Sequence, residues 1–198
     1  MDYPKIKIFE LKALKEIGNI GAGHAATSWA GMINKKVMID VCNVDLVNIR
    51  DLAETLKHEY GDVLGVQLGF SGDINGSIYY LMSKQGALDL VDMLRGRPHG
   101  GDKELDGPDL TAFKECGGVL LSSYLRAISD LLKLSLIIAV PDCVHRVDFV
   151  SKLLSGQHTA DEGVFCTQTA FIEGKNRIKV CFCLILDNRG LGLILKRV

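Results

Sequence analysis

Two side chains near the start of the chain, Glu16 and Asn19, have types and a spacing that could do chemistry together. Three positions apart on a helix, they stand on one face, one turn from each other. The carboxylate can pair with a lysine of a partner, and the amide can both donate and accept a hydrogen bond and so orient a water. A water held in line with a phosphoryl group is much of what phosphoryl hydrolysis asks of a protein, provided the partner brings Mg²⁺ and the phosphorylated residue. The same pair also reads as an ordinary solvated helix face, so the spacing alone leaves both readings open.

The element that must position the pair is the run ELKALKEIGNIGAGHAATSWAGM, residues 10–32. Leu11, Leu14, Ile17, Ile20 and Ala25 recur at three-to-four spacing, which predicts a long helix ending near Asn34-Lys35. Gly18, Gly21 and Gly23 interrupt it, and each interior glycine costs a helix about 1 kcal/mol relative to alanine. Gly18, Gly21, Ala22 and Ala25 form a smooth strip on which another helix or a sheet could lie close. The same glycines would also give a partner close access to Glu16 and Asn19. The order Gly18-Asn-Ile-Gly21-Ala-Gly23 is not G-x-G-x-x-G and follows no strand, which argues against a nucleotide cradle.

Beyond this helix the pattern predicts a strand at 37–41, a short helix at 49–58, strands at 63–70 and 74–82, and a helix at 84–94. The loop GRPHGGDKELDG, rich in glycine and charge, marks a boundary between halves. A second long helix then opens at Asp106 or Asp109, with Pro108 in its first turn, and runs to about Leu132. A strand at 135–140, a short helix at 145–154, strands at 164–172 and 177–186 and a final helix at 188–197 follow; a hairpin with a terminal strand is the alternative ending. Shifted by about 100 residues, the halves align. Lys15-Glu16 falls on Lys114-Glu115, Gly18 on Gly117, and Ser83-Lys-Gln-Gly86 on Asp187-Asn-Arg-Gly190. The expectation is an α+β fold made by tandem duplication, one domain over 1–198 with repeats at about 5–97 and 106–198. A pseudo-two-fold mixed β-sheet would carry the two long helices side by side on one face.

Composition narrows the function classes. Of the 198 residues, 47% are hydrophobic and 24% charged, as in globular proteins, and the net charge of −1 with scattered basic residues argues against nucleic-acid binding. No apolar run approaches the ~20 residues that span a bilayer, and no signal peptide is visible. Six cysteines, with no CxxC pair, lie mostly in apolar runs and read as buried free thiols of a cytoplasmic protein. Cys181 and Cys183 share one face of a strand and read as core. Cys116 lacks an activating base, and Ser122-Ser123 has no hydrolase partner at a recognisable spacing.

The run KEIGNIGAGHAATSWAGMINKKVMIDVCNV, residues 15–44, resembles the first helix of the CheC family of chemotaxis phosphatases, with its CheC, CheX and FliY branches. The family motif places Asp or Ser where this chain has Lys12, Glu at 16, Asn at 19 and Pro where it has Cys42. In the second half the motif positions hold Thr111, Glu115, Gly118 and Pro141, so the carboxylate is kept and the amide is lost. The resemblance covers nearly the whole chain and is strongest to the stand-alone CheC branch. It implies hydrolysis of the aspartyl phosphate of a CheY-type response regulator. Glu16 would hold the regulator's lysine, Asn19 would orient the attacking water, and Glu115 would belong to a degenerate second site. It implies no cofactor of the chain's own, with Mg²⁺ supplied by the regulator. It also implies a second partner, the deamidase CheD, docking on the second half near Asp148. The alternative reading is a non-catalytic binding module that sequesters CheD or the regulator.

Overall fold

The computed structural model describes residues 8–40, 43–98, 104–145 and 163–197. The elements are α1 (Ile8–Ile33), β1 (Met38–Ile39), β2 (Asn43–Asn48), α2 (Ile49–Tyr60), β3 (Val63–Gly72), β4 (Gly76–Ser83), α3 (Lys84–Leu94), α4 (Gly107–Leu132), β5 (Leu136–Ile138), β6 (Asp142–His145), β7 (Gly163–Glu173), β8 (Asn176–Leu186) and α5 (Asn188–Arg197). Helix starts follow their capping residues. Asn48, Ser83 and Asp106 each accept a hydrogen bond from the backbone N–H three positions on, which satisfies a donor the first turn leaves open.

The eight strands form one sheet in the order β1-β7-β8-β4-β3-β5, with β2 also on β7 and β6 also on β3. Among the described residues every pairing is antiparallel, where the sequence had suggested a mixed sheet. The reason is the duplication itself. The hairpins β3–β4 and β7–β8 are equivalent, and their inner strands β4 and β8 pair at the centre of the sheet. Two copies of one strand related by a two-fold axis normal to the sheet must run in opposite directions. The axis falls at the pair Tyr79↔Cys183, whose members are as far apart in sequence as the aligned Ser83 and Asp187. Within the strand predicted at 37–41 lies β1, and within the one at 135–140 lies β5; β2 and β6, which no strand was predicted to cover, follow them, and each pair lies along one neighbour. The terminal helix is present as α5. Of the short helix expected at 145–154, His145 ends β6 instead, and the rest, Asp148 with it, lies outside the described residues.

Strand alternation sorts side chains onto two faces. Tyr80, Phe182, Phe171 and Val66 point toward α1, α4, α3 and α5 in the main core, with Trp29, Phe113 and Tyr124 from the helices. Tyr124 and Phe182 stack with centroids 4.8 Å apart, and Trp29 meets Phe171 at 5.2 Å. The opposite face carries Tyr79, Leu81, Cys166, Cys181, Cys183 and Ile185, covered by Ile49, Leu52, Leu56 and Tyr60 of α2 at helical spacing.

The glycines of α1 do their work inside the molecule. A Cβ on Gly21 would come 2.7 Å from the Tyr124 ring of α4, and one on Gly18 would come 2.7 Å from Thr167 Oγ1 and 2.9 Å from Val44. Gly117 of α4 repeats the arrangement against Val66. The smooth strip is therefore occupied by the sheet and by α4, which corrects the reading that it serves an approaching partner. Gly23 is different: a Cβ there would meet nothing within 4 Å.

The two halves are joined by an ion-pair cluster at the end of α3. Arg97 lies 2.8 Å from the buried Asp92 and 3.0 Å from the buried Asp109, and Arg95 adds a contact of 3.3 Å to Asp109. This holds the start of α4 against the end of α3. We expect Gly21→Ala to lower stability by about 1–3 kcal/mol through overpacking on Tyr124. Gly23→Ala should raise it by about 0.5–1 kcal/mol through helix propensity alone. Urea denaturation of the two variants checks this opposition in sign.

Candidate functional site

Helix α1 presents Glu16 exposed and Asn19 half-buried, with Gly18 between them pressed onto Val44, Thr167 and Phe165 of the sheet. That contact sets the height and rotation of α1 at this turn. The buried Thr167 hydroxyl is itself held by Tyr124 Oη at 2.9 Å, so the floor beneath Gly18 is tied to α4. Among the described residues no side chain is hydrogen-bonded to Glu16 or Asn19. Lys12, one turn earlier, is also exposed. Cys42, the other motif position of this half, lies outside the described residues.

The equivalent turn of α4 is built differently. Glu115 is exposed at the rim of a cleft of about 980 Å³ between α4 and residues 134–141, lined also by Ser122, Arg126, Leu136 and Pro141. Gly118, in the position equivalent to Asn19, is buried, and a Cβ there would come 2.8 Å from Pro141 Cγ and 3.2 Å from its Cβ. The second half therefore lacks both the amide and the space for one. Thr111 directs its hydroxyl into the helix, to the Gly107 carbonyl at 3.0 Å. Burial pushes the Cys116 thiol beside Glu115 up to about 12, which keeps it protonated and agrees with packing rather than nucleophilic chemistry.

Because the axis is normal to the sheet and the helices lie flat on it, α1 and α4 run antiparallel. Glu16 and Glu115 each fall in the first half of their helix and are exposed. Nearer the middle, Ser28 and Ser123 share a hydrogen bond of 2.7 Å between the helices. The sequence reading did not find the parts that support α1, namely Val44, Phe165 and Thr167. These come from strands whose pairing no local pattern specifies. The only available signal was the small residue Gly18 itself.

A fold of two fused α+β halves, with an exposed Glu and a half-buried Asn one turn apart on the first of two long helices, has counterparts among known proteins. Residues 9–41, which contain Glu16 and Asn19, match the model of the CheC-like family. Over 139 residues the chain is 33% identical to the CheY-P phosphatase CheC of Bacillus subtilis, which takes in 69% of this chain and 66% of that one. It is 24% identical to the flagellar motor switch phosphatase FliY of the same organism over 133 residues, 67% of this chain and 34% of that protein. The aligned stretch thus spans just under two thirds of the first relative and about one third of the second. Among solved structures, Thermotoga maritima FliY superposes with a TM-score of 0.81 at 17% identity over 98% of both chains. The middle domain of FliM from H. pylori does so at 0.68 and 13% identity, over 98% of this chain and 100% of that one. In sequence the chain is similar to proteins of the CheC-like family.

Gly118→Asn is expected to destabilise the protein by about 1 kcal/mol or more, because its Cβ must displace the Pro141 ring. Adding Pro141→Ala should recover most of that loss. Thermal unfolding of the single and double variants measures the coupling.

Proposed function

We propose that the chain hydrolyses the aspartyl phosphate of a CheY-type response regulator, using Glu16 and Asn19 of α1. The observation that carries this reading is the contrast between the halves. Both keep an exposed glutamate on the equivalent helix turn, but only the first has a partly exposed amide beside it. In the reaction a water attacks the phosphorus as the aspartyl oxygen leaves, giving inorganic phosphate and a free carboxylate on the regulator. Mg²⁺ bound by the regulator offsets charge on the phosphoryl oxygens. Asn19 accepts a hydrogen bond from the water and holds it in line, while Glu16 pairs with the regulator's active-site lysine and fixes the two surfaces in register. The likeness to a CheY-P phosphatase over most of the chain supports the reading. Among the described residues no helix is long and apolar enough to cross a membrane, and five free cysteines suit a reducing cytoplasm, where we place the activity.

The second half has a different part in this reading. Glu115 can pair with a lysine but has no amide to orient a water, so it binds without hydrolysing. A deamidase of the CheD type would dock on this half, near Asp148. A second reading, a non-catalytic module that sequesters CheD or the regulator, is favoured by the exposed Lys12, which sets a positive charge one turn from Glu16.

A phosphate-release assay with a phosphorylated CheY-type regulator separates the two. Wild type should turn over many equivalents of regulator, Asn19→Ala should lose about 100-fold in rate, and Glu115→Ala should leave the rate nearly unchanged. An Asn19→Ala protein as fast as wild type would sink the site assignment. Tight complex formation without faster phosphate release would establish the sequestering module instead.

A further inference from the structure

The face of the sheet beneath α2 holds a group of side chains with no place in the reaction above. Cys166 of β7 and Cys183 of β8 are direct cross-strand partners, and Cys181 lies two residues from Cys183 on the same strand face. All three are buried, and their sulfurs lie within 4.8 Å of one another, with Cys166–Cys183 at 3.6 Å and Cys181–Cys183 at 3.4 Å. Three sulfurs about 2.3 Å from a common centre would stand about 4 Å apart, so this spacing is close to that of a three-sulfur ligand set. The fold does not require thiols here. Across the pseudo-two-fold axis the equivalent positions are Gln67, Ser77 and Tyr79.

We infer that Cys166, Cys181 and Cys183 form a trigonal binding site for a soft monovalent metal ion, copper(I) or its analogue silver(I). Ligand softness points to this class, since thiol sulfur selects copper(I) over magnesium, calcium or manganese. Coordination number separates it from zinc, which takes four ligands in closed sites; among the described residues no fourth His, Cys, Asp or Glu joins the three sulfurs. Metal ligation takes thiolates, so the ion enters as the thiol protons leave to solvent. Val164, Ile185, Leu56 and Tyr60 are buried in the same cluster as the sulfurs. Entry requires α2 to lift from the sheet locally, since its Leu56 and Tyr60 cover the sulfurs.

The test uses the full chain, reduced and free of oxygen, titrated with copper(I) in competition with the chromogenic chelator bicinchoninate. Wild type should withdraw one copper(I) per chain, and Cys181→Ala should bind at least 100-fold more weakly. A variant with Cys42, Cys116 and Cys143 all changed to alanine should keep wild-type affinity. Silver(I) should raise the unfolding temperature of that triple variant and of wild type but not of Cys181→Ala. The inference is overturned if wild type withdraws no ion, if the triple variant loses the ion, or if Cys181→Ala retains it. Should Cys181→Ala not fold, the titration of the triple variant, in which only these three sulfurs remain, decides alone.

Discussion

With no Cβ at Gly18 and Gly21, α1 lies directly on the sheet and against α4, and the rest of the molecule depends on that contact. The two glycines cost the isolated helix about 2 kcal/mol in propensity. Burial of the Trp29, Tyr124, Phe171 and Phe182 rings in the core that this close approach permits offsets it, at roughly 1.5–3 kcal/mol for each large side chain. The polar anchor under Gly18, Thr167 hydrogen-bonded to Tyr124, is buried and paired, so it fixes the helix without leaving an unsatisfied group. A helix held in this way offers Glu16 and Asn19 at a defined height and rotation. For a pair whose proposed task is to place one water, that definition matters more than affinity.

Duplication supplies the second organising constraint. The central β4–β8 pair lies on the pseudo-two-fold axis, so each element of one half has a counterpart in the other. The main core is shared between halves, with aromatic side chains from α1, α4, β4, β7 and β8 in mutual contact. Neither half encloses that core alone. This sharing lets local chemistry diverge while the frame is kept. One half retains Asn19, and the other has Gly118 closed over by Pro141. One half has Gln67, Ser77 and Tyr79 on the second face of the sheet, and the other has three cysteines.

The long helices were legible because their apolar residues recur at a regular spacing, and the repeat because Lys-Glu, Gly and the capping residues return in order. The edge strands were only half legible: β1 and β5 fall within predicted strands, whereas β2 and β6 do not. All four are short pieces laid along β7 and β3, and two to six residues carry little pattern. The direction of the sheet was hidden, since it follows from which strands of the two halves meet at the centre.

For the candidate site, the sequence by itself determined residue types and spacing: Glu16 and Asn19 one turn apart, and their counterparts Glu115 and Gly118. A helical period is a local property, and it suffices to put two side chains on one face. Only the tertiary structure decided what the glycines are for, that Gly118 has no room for a side chain beside Pro141, and that Cys166 joins Cys181 and Cys183. Each of these is a contact between elements distant in the chain. Such contacts depend on strand register and on the helix-to-sheet distance, and neither is written in any one segment.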